Sequence, residues 1–289
     1  MTAETGRKLR AGVAERPVRR VARPGAGELD PVVVEEPLEI RVAGEPLAVT
    51  MRTPGDDAHL AVGFLFAEGL LGGWGDVGGV AHCGRPGEEG FGNVIDVTPA
   101  PGVALDPDRL ARSRRGTLTT ASCGVCGRRS IDDLLARCGP VPAGPPIPVA
   151  TLRESTARLR GWQPNFDRTG GLHAAAALAR DGVPRAVAED VGRHNAVDKV
   201  MGALLRAGAI GEGAADDGRP VVLVVSGRTS FEIVQKAAVA GLRAVASVSA
   251  PTSLAVDLAE RAGIVLAGFV RGGGLNLYTH AERVTGTGA

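Results

Sequence analysis

The chain has 289 residues, a formal net charge of +1 and 44% hydrophobic residues, enough for one large or two smaller domains whose core needs no disulfide or metal staple. The balanced charge gives no global basic field of the kind that draws a protein to nucleic acid, and no apolar run reaches the ~20 residues needed to cross a bilayer. Aromatics are only 3% while glycine reaches 42 residues, so the core must be built from Ala, Val and Leu, with about twice the usual share of glycine.

In chain order, residues 1–28 crowd Arg7, Lys8, Arg10, Arg16, Arg19, Arg20 and Arg23 together and read as a flexible basic arm. Proline and glycine follow Arg19-Arg20 where a twin-arginine export signal needs an apolar stretch. With only four cysteines in the chain, the expected location is the reducing cytoplasm. Residues 32–34 open the ordered region as a strand, and residues 38–42 and 47–51 form a hairpin around Ala43-Gly44. An amphipathic helix over 56–70 carries Leu60, Phe64 and Leu65 on one side and stops at Gly72-Gly73. A strand over 93–98 completes a small N-terminal α/β subdomain, residues 29–118.

Residues 119–129 form a Ser/Thr/Gly-rich loop that holds Cys123 and Cys126. Ser130 with Asp133 suggests a capping box for a helix over 131–138, and Thr151 with Glu154 another for a helix to about 159. The stretch 138–148 is a Pro/Gly connector. Beyond it, strands at 187–190, 221–225, 244–248 and 264–269 alternate with helices at 195–205, 231–240 and 253–262. That alternation is the pattern of an α/β fold, a mixed α+β sheet covered by helices.

A C-x-x-C pair has three common readings: half of a zinc site, a redox dithiol, or a nucleophilic cysteine with a helper. A mixed zinc site would need Cys83, Cys123, Cys126 and Cys138 together, since structural zinc takes about four ligands. His280-Ala281-Glu282 matches the H-x-E of zinc deaminases but follows the cysteines rather than preceding them. Arg128, Arg129 and the start of the next helix favour a thiolate. The surrounding glycines make a compliant loop, suited to transfer between two large partners. Cys123 is the candidate nucleophile and Cys126 its helper. A thiol-disulfide oxidoreductase and a zinc-stabilised assembly scaffold remain as alternatives.

Four blocks of sequence point the same way. They are Thr119-Thr120-Ala121-Ser122-Cys123-Gly124-Val125-Cys126-Gly127, Thr169-Gly170-Gly171-Leu172-His173-Ala174-Ala175, Glu189-Asp190-Val191-Gly192-Arg193-His194-Asn195-Ala196-Val197-Asp198-Lys199, and Ser226-Gly227-Arg228-Thr229-Ser230-Phe231-Glu232. In this order they resemble the formate dehydrogenase accessory sulfurtransferases, the FdhD family, over about residues 30–285. The resemblance implies a sulfurtransferase that takes sulfur from a cysteine desulfurase as a persulfide on Cys123. It would pass that sulfur to the molybdenum or tungsten of a bis-molybdopterin guanine dinucleotide cofactor, bound as substrate, for the catalytic subunit of formate dehydrogenase. It also implies a homodimer with no resident metal, and a cytidine-deaminase-like larger domain over 119–289.

Such a substrate needs anion-binding backbone. Ser226, Gly227, Arg228, Thr229 and Ser230 follow a strand and open a helix, where free N–H groups and a positive helix end suit a phosphate. A plain helix cap by Thr229 or Ser230 accounts for the same residues. By resemblance, Phe269, Val270, Arg271, Gly272, Gly273 and Gly274 form the cofactor-binding segment, although a hairpin loop reads equally from Gly272 to Gly274. His173 and His194 are candidate phosphate donors or proton shuttles. Asp190, Asp198, Arg193 and Lys199 read as a charge network, and Cys83 and Cys138 as packing residues.

Overall fold

The computed structural model describes residues 8–10, 12–21, 28–88, 90–113, 140–214 and 218–286. Cys123, Cys126, Cys138 and the helix expected over 131–138 lie outside them. Strands β1 (Lys8–Arg10), β2 (Val13–Val18) and β3 (Glu28–Val33) form an antiparallel three-stranded sheet. The basic arm expected to be flexible therefore carries two strands: β1 pairs with β2, β2 pairs with β3 from Val13↔Val33 to Val18↔Glu28, and Val13 and Ala14 are buried.

A second sheet, order β5-β4-β7-β6, contains β4 (Glu36–Val42), β5 (Glu45–Arg52), β6 (Val77–His82) and β7 (Val94–Pro99). The expected hairpin is present. Ala43 and Gly44 both take positive φ between the paired residues Val42 and Glu45, a two-residue turn whose twist matches the strands. Helix α1 (Asp57–Ala67) packs beside this sheet. The one-sided apolar stripe expected of it is not what the fold uses, because its residues from Leu60 to Ala67 are all buried. The helix is enclosed on the far side as well. It ends earlier than Gly72-Gly73 would suggest, since Gly69 takes φ 73° and Leu70 N–H donates to the Leu65 carbonyl, closing the last turn. Helix α2 (Pro107–Ser113) follows.

The main sheet has the order β10-β9-β11-β12-β13-β14. Its strands are β9 (His173–Leu178), β10 (Pro184–Asp190), β11 (Val222–Val225), β12 (Ala244–Ser247), β13 (Val265–Arg271) and β14 (Gly274–Thr279). Strands β11, β12 and β13 run parallel, and β9, β10 and β14 pair antiparallel at the edges. A short pair, β8 (Ile147–Pro148) with β15 (Val284–Thr285), lies apart.

Both faces of the main sheet are covered at its centre, so β9, β11, β12 and most of β13 are apolar and buried rather than alternating, whereas edge strand β14 alternates in exposure. Ala174, Ala176, Leu178, Val222 and Val224 join a cluster with Leu152 and Leu159 of α3 (Val149–Gly161). Their neighbours Ala175, Ala177, Leu223 and Val225 face the opposite core with α5 (Arg193–Arg206), α6 (Phe231–Val239) and α7 (Ser253–Ala262). That second core continues through α1 to Leu38, Ile40 and Val97 of the smaller sheet. The expected mixed α/β architecture is thus observed.

The junction of the two parts is unusually close. A Cβ on Gly63 of α1 would lie 1.9 Å from the Asp198 carbonyl oxygen of α5, and one on Gly202 of α5 would lie 2.0 Å from that of His59. The two helices touch backbone to backbone. One expected cap is absent: Thr151 lies inside α3, which starts after Pro148, and its hydroxyl donates to the Arg180 carbonyl instead.

Candidate functional site

The parallel strands β11, β12 and β13 end on one side of the sheet, where open α/β sheets place their ligands. A cavity of about 610 Å³ opens there. Ser226 and Val248 line it just past β11 and β12, His173 at the start of β9, and Val270, Arg271, Gly272 and Gly273 at the turn between β13 and β14. Helix α3 adds Arg153 and Arg160, and the short helix α4 (Pro164–Thr169) adds Phe166. Residues separated by about a hundred positions in sequence therefore meet around one space, and most of its charged groups are cationic.

Each wall has a local cause. Gly272 and Gly273 take φ 58° and 79° between the paired residues Arg271 and Gly274, so the glycine run forms a tight two-residue turn. Phe269 sits at φ 51° within a register shift, a left-handed conformation rare for a bulky residue. The Arg271 guanidinium lies 5.5 Å from the Phe269 ring centroid. Thr156 of α3 donates to the Val270 carbonyl at 2.5 Å, holding this strand against the helix. Glu189 accepts from the Asn165 and Phe166 amides at 3.1 and 2.8 Å, so its carboxylate fixes the first turn of α4 and with it Phe166.

His173 is half-buried. Burial, and then the Arg193 charge, hold its imidazole below the usual range, against a smaller pull from Asp190. It is accordingly neutral at pH 7. Arg193 is the residue that sequence reasoning placed only in a charge network. Its Nε is buried without a hydrogen-bond partner, and burial and the nearby Arg228 lower its guanidinium from the usual arginine range. Both Arg193 and His173 lie next to the bare Cα of Gly227, where a Cβ would come within 3.7 and 3.5 Å of them. Two arginines, an unsatisfied donor and a neutral imidazole at the edge of the cavity suit an anion.

The remaining expected residues are placed differently. Gly227, Arg228, Thr229 and Ser230 do connect β11 to α6, but their side chains lie outside the cavity lining. Ser230 occupies the N-cap position without capping through its side chain. Its hydroxyl pairs with His194 Nε2 at 3.0 Å, while His194 Nδ1 lies 3.6 Å from Glu232. Thr229 is buried, with its hydroxyl unpartnered. Phe269 and Gly274 belong to the hairpin but also do not line the cavity.

Of the charge network read from the third block, Asp190 and Lys199 pair with each other, whereas Asp198 pairs with Lys236 and Arg193 joins neither pair. Asp190 accepts from the Thr53 amide and from Asn195 Nδ2, and its carboxylate lies 2.8 Å from Lys199 Nζ. Lys199 also donates to the Thr53 carbonyl, and Asn195 to that of Met51. These residues clamp the end of β5 to the main sheet. Asp198 and Lys236 form a buried pair at 2.5 Å, with Glu232 3.2 Å from the same ammonium. Cys83, the one cysteine among the described residues, is unpaired and partly buried. No group of three or more metal-ligating side chains occurs among the described residues, and no described helix is long and apolar enough to cross a membrane.

Residues 33–285 match the family model described as the FdhD/NarQ family. A protein named sulfur carrier protein FdhD from Anaeromyxobacter dehalogenans is 60% identical over 270 residues, covering 93% of this chain and 94% of its own. Another of that name from Streptomyces coelicolor is 48% identical over 260 residues, covering 88% and 89%. The fold is shared with a crystal structure titled as that of a proposed formate dehydrogenase accessory protein from Desulfotalea psychrophila. That match has a TM-score of 0.68 and 23% identity, and it covers 94% of this chain and 98% of the other. The family match over nearly the whole chain, and the identity shared with those relatives, establish that this protein belongs to the FdhD/NarQ family.

Proposed function

We propose that the chain is a cytoplasmic sulfurtransferase, a sulfur carrier acting in the maturation of formate dehydrogenase. The observation that carries this is the 60% identity, across 93% of the chain, to a protein named a sulfur carrier. The Cys123 thiolate attacks the outer sulfur of a persulfide on a cysteine desulfurase. The donor's S–S bond breaks, the donor leaves as a thiolate, and a new S–S bond forms on Cys123 with no net change in oxidation state. Cys126 assists.

The acceptor is a molybdenum or tungsten bis-molybdopterin guanine dinucleotide cofactor, bound as substrate. A cavity of about 610 Å³ takes one nucleotide-sized arm of such a molecule. Arg271, Arg193 and Arg228 favour a pyrophosphate electrostatically, the bare turn at Gly272-Gly273 lets a ligand approach the backbone, and neutral His173 accepts or donates one hydrogen bond. The same proposal includes a homodimer and a cytidine-deaminase-like fold for the larger domain, a reading that its mixed sheet flanked by helices supports.

Intact mass after incubation with a cysteine desulfurase and cysteine tests the proposal. The wild type is expected to gain one sulfur, about 32 Da, that a reductant removes, and Cys123→Ala to gain none. An unmodified wild type beside an active donor, or an equal gain in Cys123→Ala, would overturn it.

A further inference from the structure

At the opposite side of the main sheet a second cavity, of about 760 Å³, has a different character. Pro220 and Val221 line it just before β11, Arg243 just before β12, and Ala179 just after the antiparallel β9. It therefore sits at the starting ends of the strands whose far ends border the first cavity. Among its described lining residues, Arg180, Arg185, Arg219 and Arg243 stand against the single carboxylate of Asp181.

The four arginines divide by use. Arg180 donates to the Pro146 carbonyl and Arg243 to that of Pro145, so these two pin the proline-rich segment that forms one wall. Arg219 carries a buried Nε with no partner. Arg185 is the extra residue at a register shift between Pro184 and Ala186 on edge strand β10, and a bulge of this kind re-aims a side chain. Its guanidinium fills the space above Gly218, where a Cβ would lie 2.6 Å from Nη2. The Arg243 head occupies the same kind of space above Gly144, at 2.4 Å from a built Cβ. Two glycines thus make room for guanidiniums that gather around a cavity with one carboxylate among its described lining residues.

We propose that this second cavity is an anion site for a small organic diphosphate. Guanidinium forks match phosphate oxygens two at a time, and several of them suit a ligand of charge near −2 to −3 better than a lone carboxylate. The proline, alanine and valine walls hold an apolar remainder of the molecule. The proposal does not depend on the function assigned to the first cavity.

The test is calorimetric titration of the full chain with inorganic pyrophosphate and, separately, with citrate. Four proteins are compared: wild type, Arg185→Ala, Arg219→Ala, and Arg271→Ala as the control for the first cavity. Arg185 and Arg219 make no described hydrogen bond or ion pair, so their truncation should leave the thermal midpoint in place, which is checked alongside. Pyrophosphate is expected to titrate two sites in the wild type: one weakens at least about tenfold in Arg185→Ala and in Arg219→Ala, as loss of a charge-assisted contact predicts, and stays unchanged in Arg271→Ala, which weakens only the other. Citrate should bind the wild type more weakly than pyrophosphate. The proposal is overturned if pyrophosphate does not bind, if only Arg271→Ala weakens it, or if citrate binds as tightly.

Discussion

His173 is where the electrostatics of the first cavity can be read from one ring. Burial and Arg193 favour its neutral form, whereas the unfolded chain takes up a proton near pH 6.5. The stability contributed by the neutral imidazole is therefore present above about pH 6.5 and is lost as the pH falls below it. Nuclear magnetic resonance titration should place the His173 pKa below the ordinary imidazole value, and addition of GDP should raise it, because a bound phosphate offsets the Arg193 charge. An unshifted ring with GDP bound would remove His173 from the phosphate site. At this scale the sequence singled out His173, Arg271 and Ser226 as cofactor-binding candidates, and all three line one cavity. It could not mark Arg193, whose significance lies in a buried unpaired Nε that only the surrounding packing creates. Nor could it show that Ser230 bonds to His194 in place of the backbone.

Between elements, the buried pair of Asp198 on α5 and Lys236 on α6 fixes how two neighbouring helices sit. Burial pushes the Asp198 carboxyl up to about 7 against the pull of Lys236. The Asp198 and Glu232 carboxylates in turn hold the ammonium above its usual range in spite of burial. Truncating one partner leaves a buried charge uncompensated, so Lys236→Met should cost about 3–5 kcal/mol in chemical denaturation. The double variant Lys236→Met/Asp198→Leu should recover much of that loss, and additive losses would show that the pair is not what couples the helices. Long apolar or strongly periodic segments were legible as elements, and residues 253–262 coincide with α7. Strand β9 escaped notice because four consecutive alanines favour helix and carry no period-two pattern. Its place between β10 and β11, with helices against both faces, overrides that propensity. Thr151 misled for a related reason, since Pro148 already starts α3 and the threonine is left to bond elsewhere.

Across the whole molecule, one continuous core joins the smaller sheet to the main one through α1 and α5. Local patterns could not reveal this, because α1 is apolar in both directions and its second face meets a partner more than a hundred residues later. Gly63→Ala and Gly202→Ala should each destabilise by about 3 kcal/mol, as overpacking of a tight contact does. The double variant should lose well under the sum, since parting the helices once relieves both clashes. Denaturant midpoints check this, and strict additivity would argue against a shared contact. Gly63 and Gly202 are 139 positions apart in the chain, yet neither can acquire a side chain without moving the backbone opposite it. Grafting the first hundred residues of a relative onto the rest of this protein would accordingly succeed only where the donor brings a matching bare site. The two halves of the chain are bound to a common inheritance by two missing methyl groups.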